Sequence, residues 1–252
     1  MRFQKTKFFP LLLKLFILIQ LLSVPAIPQE NGEQYKTVFN QGIRLLEGNQ
    51  LDAARKAFME CIRLSPNSPE ANFYLGRVFE LQKEFIKAKN AYEKVTRLAP
   101  KHFMGNKHLA GMYYKNNMVE QAIKAYHKAL RIKPDDYDTY YLLGNVFFRL
   151  RRYDEALNQY QKALRYNAEF ASAYNNAGHI YRLNQQLTEA LAYFQKAVDF
   201  DPQYSLAYRN LGLTYLQLVK YEPAKSALQT CIKINPGDAR AHFYLANVYF
   251  DL

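Results

Sequence analysis

Residues 171–204 read ASAYNNAGHIYRLNQQLTEALAYFQKAVDFDPQY, and this 34-residue stretch returns, altered, along most of the chain. A column of alanines marks the period: Ala54, Ala88, Ala122, Ala156, Ala190 and Ala224. A small-residue column shares it, with Gly42, Gly76, Ala110, Gly144, Gly178, Gly212 and Ala246. A third column holds Pro66, Pro100, Pro134, Ala168, Pro202 and Pro236. Three columns in one register identify an internal repeat, and a period of this length belongs to stacked supersecondary units.

Each period contains two helical stripes. In the copy before the quoted one, Tyr140, Leu143, Gly144 and Phe147 recur at three- and four-residue steps, and Ala156, Tyr160 and Ala163 do the same further on. The pair predicts an antiparallel hairpin in which small residues let the backbones approach and neighbouring aromatics fill the volume. Proline ends each second helix because it lacks an N–H and restricts the residue before it. At Ala168 that block is missing, and Asn167 is expected to stop the helix in a left-handed turn.

Composition agrees with a packed core. Of 252 residues, 49% are hydrophobic and 15% aromatic, which excludes a disordered chain. The 10 Gly and 10 Pro exclude collagen-like and low-complexity sequence, and 2 Cys cannot staple a disulfide scaffold or close a four-ligand zinc site. Cys61 and Cys231 share the column of Ala129, Ala163 and Ala197, so they read as small buried hydrophobes. Layers about 10 Å apart would hold them far beyond disulfide reach.

The first 26 residues differ from the rest. Arg2, Lys5, Lys7 and Lys14 precede the apolar run 15–22 and the small-residue site Val24-Pro25-Ala26, the pattern of a secretory signal cleaved after Ala26. The alternative is an inner-membrane anchor over residues 8–27, which Pro10 and Lys14 interrupt. Either way the chain is expected to be exported, to the periplasm or beyond, with 27–34 as a short linker. No Cys near this segment could accept a lipid.

Catalytic patterns are absent. The histidines His102, His108, His127, His179 and His242 show no metalloprotease spacing, and no nucleophile elbow or glycine-rich phosphate loop occurs. The chain is therefore read as non-enzymatic, with no cofactor and no metal. His242 stands in the column of Tyr140, Tyr174 and Tyr208 and is expected to pack; His127 is expected on an outer face. The net charge of +12 falls by four when the first segment is removed. Much of it lies in two columns on the second helices, Lys94, Lys128, Lys162 and Lys196, then Arg63, Arg97, Arg131, Arg165 and Lys233. Cations there suit helix C-termini; as a surface they would meet anionic membrane, while nucleic acid is the poorer fit for an exported chain.

These columns resemble the tetratricopeptide repeat family, in a secreted or envelope-associated bacterial form. Tyr174, Ala177, Gly178, Tyr181, Ala190, Phe194, Ala197 and Pro202 all match its pattern. The resemblance covers six units, 35–68, 69–102, 103–136, 137–170, 171–204 and 205–238, and a half unit 239–252. The first is weakest, with Val38 and Gln41 in place of larger apolar residues. It implies an all-α solenoid, a right-handed superhelix of antiparallel hairpins whose concave wall is lined by first helices. The groove positions it implies are Phe73, Arg77, Lys107, Tyr141, Asn145, Phe148, Arg149, Asn175, Asn176, His179, Arg182, Arg209, Asn210, Phe243 and Asn247. Aromatics, Asn and Arg supply contact area, amide pairing and carboxylate grip, so the expected ligand is an extended peptide or partner protein.

The chaperone-tail clamp of the family is not matched, since Tyr141, Leu206 and Asn210 replace its cations. The alternatives are an envelope assembly factor acting through the basic convex face, or the repeat half of a system similar to O-linked N-acetylglucosamine transferases. The aromatic stretch 239–252 is expected to contact another copy or a further segment.

Overall fold

The computed structural model describes residues 29–252. The signal or anchor segment expected over the first 27 residues lies outside the described residues. Among those described, the chain is all-α, with thirteen helices and no strand: α1 Gln29–Glu47, α2 Leu51–Leu64, α3 Pro69–Leu81, α4 Phe85–Leu98, α5 Phe103–Lys115, α6 Val119–Ile132, α7 Tyr137–Arg149, α8 Tyr153–Tyr166, α9 Ala171–Leu183, α10 Leu187–Phe200, α11 Ser205–Gln217, α12 Tyr221–Ile234 and α13 Ala239–Asp251. Helix α1 begins inside the stretch 27–34 read as a linker. The Thr37 hydroxyl donates to the Glu33 carbonyl within it, at 2.9 Å. None of these helices is long and apolar enough to cross a membrane.

Two compact units divide at Pro100. In the first, α1 pairs with α2 and α3 with α4; in the second, α5 to α12 form four further pairs and α13 packs on α12. The first unit is anchored through Tyr35, Phe39 and Ile43, all buried, rather than through Val38 and Gln41. Tyr35 stacks on Phe39 at 5.6 Å, and its hydroxyl lies 2.6 Å from that of Ser68, the residue capping α3.

Within each pair the small residue of the first helix faces a large one sixteen positions on. A Cβ added to Gly144 would stand 2.6 Å from the Tyr160 ring; the values are 2.7 Å for Gly76 and Tyr92 and 3.0 Å for Gly178 and Phe194. Tyr92, Tyr160 and Phe194 are fully buried, so the rings have no room to yield. Cys61 and Cys231 are buried free thiols in the same seams.

The turns hold two surprises for the sequence reading. Asn167 is extended, at φ −140° and ψ 95°, not left-handed. Its side-chain oxygen instead accepts the Glu169 N–H at 3.1 Å, as those of Asp201 and Asn235 accept the N–H two residues on. The left-handed residues sit in the other turn, between first and second helices: Asn49, Lys83, Asn117, Arg151, Gln185 and Val219, at φ of 56° to 61°. Each is followed by an N–H that reaches back to close the first helix, as Arg152 N–H does to Phe147 O at 3.0 Å. This is a fourth column at the same period, hidden because only two of its members are Asn.

Candidate binding site along the first helices

The first helices of the second unit lie side by side, with α5 against α7, α9 against α11 and α11 against α13. Their shared edge carries a chain of carboxamides. Asn210 Nδ2 donates to Asn175 Oδ1 at 2.8 Å, and Asn175 Nδ2 donates to Asn176 Oδ1 at 3.1 Å. Asn176 Nδ2 donates to Asn145 Oδ1 at 3.0 Å and to the Tyr141 hydroxyl at 3.3 Å. The Tyr160 hydroxyl closes the chain by donating to Asn145 Oδ1 at 2.8 Å. Burial raises the Tyr160 phenol well above its ordinary value, so it stays a donor at neutral pH.

The donor and acceptor inventory then fixes what the edge can offer. Asn145 Oδ1 already accepts twice, which leaves its two N–H groups; both N–H groups of Asn176 are engaged, which leaves one lone pair on its oxygen. An Asn145 N–H and the Asn176 lone pair side by side match the C=O and N–H of a single extended peptide residue. Asn175 and Asn210 are themselves buried, so they orient the chain rather than face solvent.

The remaining positions divide into three groups. Lys107 lies 2.8 Å from Asp136 and 2.7 Å from Asp138, and Arg209 lies 2.6 Å from Asp238. Asp136 and Asp238 also cap α7 and α13 by accepting the N–H of Thr139 and Ala241. Burial opposes the Asp136 charge, yet hydrogen bonds from Lys107 and Thr139 hold its carboxyl below the ordinary range. These two cations are therefore caught in helix-capping ion pairs, an arrangement repeated by each basic residue and the Asp twenty-nine positions on.

Aromatic residues form the second group. Tyr141 meets the Phe170 ring edge-on at 4.9 Å, and Phe148 lies 5.3 Å from the His179 ring. Burial and the Arg182 charge both lower the His179 pKa, so that ring is neutral at pH 7. In the first unit, Phe73 is buried against Tyr92 at 5.8 Å, and Arg77 is half-buried on the same helix.

Arg182 and Arg149 complete the set with free or lightly held charge. Arg149 stands 4.1 Å over the Tyr114 ring and donates to Asn117 Oδ1 at 3.2 Å. Among the described residues Arg182 makes no ion pair, and its buried Nε lacks a hydrogen-bond partner. Burial pulls its pKa down from the usual guanidinium value. Phe243 and Asn247 are exposed on α13. His242 is exposed too, against the expectation that it packs, because no described helix covers that face of α13; its Nε2 lies 3.0 Å from Pro236 O. His127 is exposed, on an outer face as expected. Sequence reasoning missed Asp136 and Asp238, whose acidic spacing behind Lys107 and Arg209 was the available signal, and Tyr160 as the donor that polarises the amide chain.

A family model described as Tetratricopeptide repeat matches residues 39–88 and 141–205, one described as TPR repeat matches 111–151, and a further Tetratricopeptide repeat model matches 181–242. No curated protein matches the chain. Among solved structures, pilF of Pseudomonas aeruginosa superposes with a TM-score of 0.75 at 17% identity, over 87% of this chain and 100% of that one. YrrB, described as a TPR protein with an unusual peptide-binding site, gives 0.61 at 25% identity, over 75% and 98%. The chain in the APC/C hetero-tetramer Cut9-Hcn1 gives 0.69 at 21% identity over 85% of this chain, which spans only 42% of that one.

Proposed function

Since the chain belongs to the tetratricopeptide repeat family, whose members are characteristically non-catalytic protein–protein interaction scaffolds, we propose that it holds an extended, acidic peptide segment across α7, α9 and α11. The observation that carries this reading is the amide chain ending in the unused N–H groups of Asn145 beside the unused lone pair of Asn176. Arg182, six residues beyond Asn176 on α9, supplies a charge for an acidic side chain. An unpaired, half-buried guanidinium is unfavourable until a carboxylate meets it.

The test is selection of displayed 12-residue peptides on the purified chain, followed by fluorescence titration of the selected sequences. Acidic peptides should emerge, and both Arg182→Gln and the pair Asn145→Ala with Asn176→Ala should weaken them at least tenfold at unchanged helicity. Unselective recovery, or equal affinity for the variants, removes the reading.

A second reading has its own observation: Arg63, Arg97, Arg131, Arg165, Lys196 and Lys233 are all exposed on second helices. Basic second-helix surfaces in each unit, together with the export expected from the first 26 residues, suit an envelope assembly factor. Phe243, Tyr249 and Phe250 on α13 would then offer it a further contact surface. N-terminal sequencing for cleavage after Ala26, and charge reversal of these residues, test this alternative.

A further inference from the structure

On the second-helix side of the second unit, away from the amide chain, lies a cavity of about 430 Å³ lined by His127, Leu130, Arg131, Tyr140, Gln159 and Lys162. His127 and Arg131 stand one turn apart on α6, Gln159 and Lys162 three residues apart on α8, and Tyr140 comes from α7. Three basic side chains thus converge from two helices, and among the described residues no acidic one lines the space. Some second-helix cations are balanced by an acid on their own helix, as Arg63 is by Glu60 at 2.7 Å and Lys89 by Glu93 at 3.5 Å. Among the described residues Arg131 and Lys162 have no ion pair; Lys162 rests its ammonium 5.9 Å over the Tyr140 ring. That ring is stacked on Tyr166 at 5.7 Å and 8°, which makes a flat apolar wall.

The cluster is mutually repulsive as it stands. Burial first, then the Lys162 and Arg131 charges, lower the His127 pKa, so the three groups sense one another. An anion between them would reverse that repulsion. The volume lies within the range of small-molecule sites and exceeds what a bare oxyanion fills. A guanidinium and an ammonium suit phosphate oxygens, one by its fork and the other as a point charge.

We propose that this cavity is a binding site for a phosphate-bearing anion with a small organic substituent, the phosphate held by Arg131, Lys162 and His127 and the substituent against Tyr140 and Leu130. The site is independent of the peptide reading, because it shares no residue with the first-helix edge. A lipid headgroup and a soluble phosphate ester carry the same chemistry, and the experiment separates them.

The test uses the full chain and labelled glycerol 3-phosphate in equilibrium dialysis. Binding should appear, and NMR titration of His127 should show its pKa rising when the ester is present. Arg131→Gln with Lys162→Gln should weaken binding at least tenfold, while Arg165→Gln with Lys196→Gln, on the same basic columns outside the cavity, should change it less than twofold. Displacement of the label by phosphatidylglycerol vesicles but not by phosphatidylcholine vesicles assigns the site to a headgroup; displacement by inorganic phosphate alone assigns it to a soluble ester. No binding of glycerol 3-phosphate, or equal weakening by the two double variants, overturns the proposal.

Discussion

Helices α7 and α13 carry nearly the same pattern in the same register, yet only half of each ends in the same environment. Thr139 and Val146 of α7 are buried, and so are their counterparts Ala241 and Val248, against the hairpin that precedes each helix. On the adjoining surface, turned toward the following helix in α7, the two diverge. Leu143 and Phe147 are buried under α8, with Gly144 pressed on the Tyr160 ring, whereas Leu245 is half-buried and Ala246 and Tyr249 are exposed. Both helices even begin alike, on Asp136 and Asp238 caps paired with a cation. The burial of each part of a repeat helix is therefore decided by the neighbour that meets it, not by the pattern of the helix alone.

The sharpest way to break that comparison is truncation at matched positions. Leu143→Ala should cost about 3 kcal/mol, as a fully buried leucine does, while Leu245→Ala should cost under about 1 kcal/mol. Urea titration followed by circular dichroism reads both. Next comes the small-residue column. Gly144→Ala must displace a buried ring and should cost about 2 kcal/mol, whereas Ala246→Leu should stay within about 0.5 kcal/mol by the same measurement.

A smaller effect, of opposite sign, concerns the turns. Arg151 after α7 and Val219 after α11 adopt the same left-handed conformation, at φ 59° and 57°, but a β-branched residue is the worse occupant. Val219 is 64% exposed and so loses little packing on replacement; Val219→Gly should raise stability by about 1 kcal/mol in thermal unfolding. Arg151→Gly should gain less.

The smallest effect is the shared acid dependence of the two caps. For both Asp136 and Asp238, burial favours the neutral form but is outweighed: hydrogen bonds from Lys107 and Thr139 win at the first, the Ala241 N–H and Arg209 at the second. Their folded pKa values lie below the unfolded one near ~3.9, so the unfolded chain binds protons first on acidification. The stability they contribute is present above that pH and is lost as pH falls through the folded values. Asp136→Asn and Asp238→Asn should each flatten this acid limb while keeping a side chain able to cap.

Much of the seam was legible because its columns recur. Gly42, Gly76, Gly144, Gly178 and Gly212 announced close approach before any coordinate, and Ala54 to Ala224 announced the face opposite. The left-handed column was not legible, since Lys83, Arg151, Gln185 and Val219 have no side-chain reason to be there; the hairpin geometry imposes it on them. In the candidate site, Asn145, Asn176 and Arg182 could be named from register, but Lys107 and Arg209 looked equally available. Their capture by Asp136 and Asp238 depends on how neighbouring repeats are placed.

By itself the sequence determined the repeat, its helix pairs and the residue types on each face, because a period of 34 residues with small and large side chains in fixed columns admits few other packings. Only the tertiary structure decided which polar groups remain available. Hydrogen bonds and ion pairs between residues some thirty positions apart consume donors, acceptors and charges, and such pairings depend on distance in space, which no single repeat specifies.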